Sequence, residues 1–275
     1  MNQQMEIICV GNELLIGKTL NTNAHWLAKR ATSLGIMVKR ITVVSDDVKE
    51  IASSVKEAMQ RKSHFIITVG GLGPTFDDKT LGGIAEALNR KLQVNEKALK
   101  MVREKYEVYV KAGRMEKVEL TPPRMKMATL PEGAEPLPNP AGTAPGVMVK
   151  IEETILIALP GVPSEMEAII DESVAPLLKK EAGKVAFFEV SIYADNIMES
   201  TLAPLIDQTM HDNPYVYIKS HPKGEGKKPH IEIHSSTTAE DSKTAKDRLG
   251  KAIIQLTELV QKSGGKIRVP TKLGE

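Results

Sequence analysis

"HFIITVGGLGPTFDDKTLGGIAEALN" (residues 64–89) opens as a short apolar run, Phe65 to Val69, breaks at Gly70 and Gly71, and resumes with Leu81, Ile84, Ala85 and Leu88. A β-branched run bounded by glycines is the pattern of a buried strand, and the later spacing is that of one face of a helix. The same unit occurs twice upstream. "MEIICVG" (5–11) precedes "TLNTNAHWLAKRATSLG" (19–35), with Ala24, Leu27, Ala28 and Ala31 on one face. "IMVKRITVVS" (36–45) precedes "DDVKEIASSVKEAMQ" (46–60), with Ile51, Val55, Ala58 and Met59 on one face. Three strand–helix units in succession predict an α/β three-layer sandwich around a mostly parallel sheet with right-handed crossovers.

Further along, Leu99, Val102, Tyr106 and Tyr109 share a stripe that predicts a helix over 95–112. "LTPPRMKMATLPEGAEPLPNPAGTAPG" (120–146) is rich in proline and glycine and reads as an ordered loop. "GVMVKIEETILIALPG" (146–161) alternates about Glu152-Glu153, as a hairpin does. "PSEMEAIIDESVAPLLKK" (163–180) starts with proline and acids and ends in lysines, the order a helix dipole favours. That helix closes a first domain, 1–180. Residues 181–275 follow as a small α+β domain of strand, helix, two strands and helix.

The 275 residues, 41% hydrophobic and 26% charged, suit a large domain and a small one. With 37 basic and 35 acidic residues the net charge is +2, which argues against nucleic acid as the main partner. No apolar run approaches the roughly 18 residues of a membrane span, so a cytoplasmic protein with no membrane partner is expected. Cys9, the only cysteine, can form neither an internal disulfide nor a cysteine metal cage.

Ligands of open parallel sheets bind beyond the carboxyl ends of the strands. The first expected strand ends in Gly11, Asn12 and Glu13, the second in Ser45, Asp46 and Asp47, and the third in "GGLGPTFDDKT" (70–80). Glu13, Asp46, Asp77 and Asp78 therefore fall on one rim and are candidate catalytic residues and ligands of a hard divalent cation. Gly11, Asn12, Gly70, Gly71, Leu72, Gly73, Pro74 and Thr75 are candidate substrate contacts, because a glycine loop before a helix lets backbone approach phosphate. Asp46 or Asp47 and Asp77 or Asp78 are equally suited to capping the helices that follow. "GNELLIGKT" (11–19) is no P-loop, since five residues separate Gly11 from Gly17 and include Glu13, Leu14, Leu15 and Ile16. Two rigid turns, "PNPAGTAPG" (138–146) and "ALPGVPSEM" (158–166), offer Asn139, Gly142, Thr143 and Gly161 as a pocket wall, with Asn139 and Thr143 exposed. The histidines lack metal-site spacing and read as structural.

"GNELLIGKTLNTNA", "TVGGLGPTFDDKT", "NPAGTAPG" and "LPGVPSEM", in this order between residues 11 and 166, resemble the N-terminal domain of the CinA family, as does "VSDD" (44–47). That domain belongs to the molybdopterin-binding superfamily with MogA, MoaB and MoeA. Leu72 stands where MogA and MoaB carry threonine and sides with CinA. "VAFFEVSIYA", "NIMESTLAPL" and "KSHPKG" resemble the KH-like domain of archaeal-type CinA proteins. The resemblance does not reach the nicotinamide-mononucleotide deamidase domain of bacterial CinA, so that activity is not carried over.

The resemblance implies metal-dependent hydrolysis of a nucleotide pyrophosphate bond, in ADP-ribose, FAD or a related dinucleotide, giving AMP with Mg, Mn, Co or Ni. It implies a homo-oligomer, a dimer, and places Asp78 where the superfamily has its functional aspartate. The alternative is a non-catalytic protein that binds molybdopterin or a nucleotide. KH domains clamp RNA with a G-x-x-G loop; none occurs between residues 180 and 275, where "KGEGKK" has G-x-G, so no specific RNA affinity is expected.

Overall fold

A computed structural model describes residues 3–223 and 229–269. Its contacts divide the chain into Met1–Thr32 with Ile36–Ala182, and Ser33–Gly35 with Gly183–Glu275. The first unit begins β1 (Gln4–Val10), α1 (Asn12–Leu15), α2 (Thr22–Ser33), β2 (Met37–Val44), α3 (Val48–Gln60), β3 (Phe65–Val69) and α4 (Thr80–Ala87). It continues with β4 (Leu92–Val94), α5 (Glu96–Lys111), α6 (Pro122–Lys126), β5 (Thr129–Pro131) and β6 (Glu135–Leu137). It ends with β7 (Gly146–Ile151), β8 (Thr154–Leu159), α7 (Pro163–Ile169) and α8 (Ala175–Ala182).

The main sheet runs β2-β1-β3-β8-β7-β6. β1 pairs in parallel with β2 and β3, and β3 with β8, whereas β7 and β6 are antiparallel additions. All five residues of β3 are buried, as a strand covered on both faces requires. The helical stripes expected from spacing meet this sheet: Ile51, Val55 and Ala58 of α3, Ile84 of α4 and Val102 of α5 pack with Ile8, Ile66 and Leu156 in one core.

The hairpin turns where its alternation ends, with Ile151 opposite Thr154 and Glu152 at φ 51°. The proline-rich segment 120–146 is more ordered than a loop. Pro122 starts α6, and Leu130 pairs with Gln93 to make a two-stranded sheet of β4 and β5. Strands of three residues are too short to show a period in sequence. A π-helical turn, Ile170–Val174, separates α7 from α8 within what reads as one helix.

The second unit is β9 (Ala186–Asp195), α9 (Glu199–Asp212), β10 (Val216–Pro222), β11 (His230–Ala239), α10 (Ser242–Lys262) and β12 (Lys266–Arg268). Its antiparallel sheet runs β10-β11-β9-β12. A βαββαβ chain in this strand order is the ferredoxin-like pattern, the expected strand, helix, two strands and helix with the short β12 added. Alternate residues of β11, Ile231 and Ile233 among them, join Leu249, Leu256 and Leu202 from the helices in a separate core. Most of "KGEGKK" lies outside the described residues.

Candidate functional site

From β1 the sheet extends to β2 on one side and to β3 and β8 on the other, so the chain reverses its winding direction there. Such a reversal opens a crevice at the carboxyl ends of the strands. A cleft of about 460 Å³ occupies this position. Its walls come from the segments after β1 (Glu13, in α1), β2 (Asp46), β3 (Gly70 to Pro74, Asp77, Asp78) and β8 (Gly161, and Glu165 in α7), with Thr143 from the proline-rich turn.

The loop after β3 needs its glycines. Gly70 (φ 105°) and Gly71 (φ 67°) are left-handed, and a Cβ on Gly70 would stand 2.3 Å from the Val10 carbonyl oxygen. Buried Thr80 closes the loop: its hydroxyl donates to the Gly70 carbonyl at 2.7 Å and its backbone N–H to the Gly71 carbonyl at 3.2 Å. Further along, Asp78 Oδ2 accepts from the backbone N–H of Thr75 at 2.8 Å and lies 2.6 Å from its hydroxyl. The same hydroxyl lies 2.5 Å from Asp77 Oδ1. The Thr75 hydrogen bond, with Asp77's own backbone N–H and the cations Lys126 and Lys79, holds the Asp77 carboxyl below its ordinary range.

The capping readings now separate. Asp47 is the cap of α3, accepting from the N–H groups of Lys49 and Glu50 at 2.9 and 3.2 Å. Asp46 instead crosses to the first loop, where its Oδ2 accepts the N–H of Asn12 at 2.7 Å. Neither Asp77 nor Asp78 caps α4, whose N-cap position is Lys79 with no side-chain bond.

Eleven of the expected site residues line the cleft: Glu13, Asp46, Gly70, Gly71, Leu72, Gly73, Pro74, Asp77, Asp78, Thr143 and Gly161. They do not form the expected four-carboxylate metal site. Among the described residues no three His, Cys, Asp or Glu side chains are gathered to hold an ion. The physical reason is that Asp46, Asp77 and Asp78 are each turned to a donor within the loops. The donor set therefore fits a hard cation that brings most of its ligands with it, since Mg²⁺ takes one or two carboxylates and completes its shell with water and phosphate oxygens.

Gly11, Asn12, Thr75, Asn139 and Gly142 do not line the cleft and instead support residues that do. Gly11 leaves room for the Glu13 carboxylate, which a Cβ there would approach to 2.4 Å. Asn12 holds Asp46, and Thr75 holds Asp77 and Asp78. Asn139, expected exposed, is 5% exposed and makes four hydrogen bonds: Nδ2 donates to the Ala144 carbonyl and to Glu165 Oε2, and Oδ1 accepts from Ala141 and Gly142. Glu165 was missed by sequence reasoning, as were Asn21 and Asn23, which also line the cleft. Glu165 lay inside a quoted motif, but a glutamate in the first turn of a helix is explained by the helix dipole alone.

The fold is that of a doubly wound α/β domain with a cleft at its switch point. The chain belongs to the family described as a probable molybdopterin binding domain, which it matches over residues 6–180. Archaeal relatives are similar along nearly the whole chain. A protein of Sulfurisphaera tokodaii is 44% identical over 263 residues, 95% of this chain and 97% of that one. A protein of Pyrobaculum calidifontis is 46% identical over 256 residues, 93% and 95%. The crystal structure of the CinA protein of Thermoplasma acidophilum is 38% identical, with a TM-score of 0.58, covering 66% of this chain and 99% of that one. The CinA resemblance of the motifs is thereby matched in a solved structure. Among the described residues no helix is long and apolar enough to cross a membrane.

Proposed function

We propose that the cleft binds a small molecule that joins a flat heterocycle to phosphate, of the molybdopterin or nucleotide class. One observation carries the reading: the left-handed glycine loop, three loop aspartates and the Thr143 hydroxyl line a single cleft at the switch point. A glycine loop admits phosphate close to backbone, and a polar wall beyond it suits a heterocycle. The family's description supports the pterin class. Calorimetric titration with a pterin and with AMP, ADP-ribose and FAD tests it; no heat with any of them at millimolar concentration would remove the reading.

A second reading makes the domain an enzyme that splits a nucleotide pyrophosphate to release AMP. Glu13, Asp46, Asp77 and Asp78 on the walls beside the glycine loop favour it. When bound, a Mg, Mn, Co or Ni ion would neutralise the pyrophosphate and activate water. The chain's own part would be to orient the phosphates along Gly70 to Pro74 and to present Asp78, which the Thr75 backbone holds in place. Incubating ADP-ribose, FAD, NAD, CoA and ATP with each metal, with products identified by mass spectrometry, separates the readings. AMP formed by wild type and lost in Asp78→Asn supports hydrolysis, and binding without products supports the first reading. A cytoplasmic homodimer without nucleic-acid partners belongs to the same proposal, and light scattering on the purified protein tests the dimer.

A further inference from the structure

Glu165 stands in the cleft wall as a carboxylate provided with little to bind. Among the described residues it meets one donor, Asn139 Nδ2, 2.7 Å from its Oε2. The turn is shaped around it: a Cβ on Gly142 would stand 2.0 Å from its carboxyl carbon, and the N–H groups of Ala141 and Gly142 are spent on Asn139 Oδ1. A carboxylate has about four lone-pair sites, so Oε1 and part of Oε2 are open to an outside donor. Asn23, which also lines the cleft, differs. Its Nδ2 donates to the Gly161 carbonyl at 2.7 Å, and its Oδ1 is buried without a donor. That oxygen has no surface facing the cleft, so the acceptor open to a ligand there is the Glu165 carboxylate. Leaving an acceptor without a donor in a cleft that a ligand dries is costly, so the ligand that fits supplies N–H groups.

We propose that Glu165 selects the ligand's ring by accepting the two adjacent N–H donors of a 2-amino-4-oxopyrimidine, the edge shared by pterin and guanine, in preference to adenine. That edge presents a ring N–H beside an amino group, and a carboxylate can accept from both. Adenine sets a bare ring nitrogen beside its amino group, and that lone pair would face the carboxylate. Selection of this kind works by repulsion of the wrong ring as much as by attraction of the right one. The inference rests on the small-molecule reading above and deepens it.

The test is calorimetric titration of the intact protein with 6-hydroxymethylpterin, GMP and AMP. Wild type is expected to bind the pterin or GMP at least about tenfold more tightly than AMP, the effect of one charge-assisted hydrogen bond. A tenfold difference between those two ligands tells which carrier of the shared edge the site takes. Glu165→Gln still accepts from Asn139 but turns an amide to the ring, so it is expected to lose the preference while AMP affinity stays within about twofold. AMP binding as tightly as the other two, or unchanged pterin and GMP affinity in Glu165→Gln, would overturn the selection. AMP binding alone would leave the cleft as a ligand site and remove only this inference; silence from all three ligands would remove both.

Discussion

Asp46, beyond the end of β2, accepts the backbone N–H of Asn12, beyond the end of β1, at 2.7 Å, so one carboxylate ties together two loops that border the cleft. The tie is half-exposed, and its loss should cost about 1 kcal/mol, less than the usual value for a charged acceptor. Asp46→Ala is therefore expected to lower the melting temperature by about 2–4 °C, with Asp46→Asn recovering most of it because an amide oxygen also accepts. If Asp46 in addition meets a cation bound to the ligand's phosphate, Asp46→Asn will melt normally and still lose ligand. Thermal melts beside calorimetry read both effects.

Asn139 and Gly142 act through Glu165, and their variants should differ. Asn139→Ala strips the turn of four hydrogen bonds around a buried position and is expected to cost about 2–4 kcal/mol by urea unfolding. Gly142→Ala sets a methyl group where the Glu165 carboxylate sits and is expected to displace it, weakening ligand binding more than it lowers stability. Equal stability losses with unchanged binding would make the turn scaffold only.

Far from the cleft, Arg61 binds the nearly buried Glu6 through Nε and Nη2 at 2.9 and 2.8 Å, and the Ser63 hydroxyl adds a bond at 2.8 Å. Burial by itself would raise the Glu6 carboxyl, but the Arg61 and Ser63 hydrogen bonds outweigh it and leave the group below 4.5. A depressed carboxyl stabilises the fold above its unfolded value, and that contribution fades as pH falls through the folded value, so it is complete at pH 7 and is lost below about pH 4.5. Arg61→Met should cost about 3 kcal/mol at pH 7, the low end for breaking a buried pair, since the guanidinium is one-third exposed. In the variant only Ser63 and Arg40 still oppose burial, so the stability lost between pH 7 and pH 4 should be smaller than in wild type. Urea titrations across this range check the slope.

The parallel sheet was legible because buried strands and amphipathic helices leave periods of 2 and 3.6 in sequence, and the α3 stripe of Ile51, Val55 and Ala58 is buried as spaced. β5, β6 and β12 span three residues each and leave no period to find. At the site, residue type and position after a strand placed Asp46, Asp77 and Asp78 at the cleft. Which hydrogen bonds they make depends on backbone N–H groups elsewhere, such as that of Asn12, and these leave no trace in side-chain identity. Asn139 shows the same limit: a polar residue between prolines reads as exposed, while the fold spends all its bonding capacity on its own turn and on Glu165.

Thr143 lines the cleft, and apart from a 3.8 Å approach to Met127 Sδ its hydroxyl makes no side-chain hydrogen bond among the described residues. Thr143→Val is expected to weaken ligand several-fold, the worth of about one neutral hydrogen bond, without lowering the melting temperature. Should the domain turn over ADP-ribose, the change should appear in KM with kcat nearly unchanged, and Asp78→Asn should do the reverse. A lowered melting point with normal binding would assign Thr143 to the turn.

The central claim is that the crevice beyond β1, β2, β3 and β8 is where ligand binds, and hydrogen exchange with and without saturating pterin or AMP tests it most directly. The account predicts slowed exchange of backbone N–H groups over residues 70–78 and 160–165, where the glycine loop and the start of α7 face the cleft. Ligand binding that leaves both segments unchanged and protects another part of the chain would contradict it.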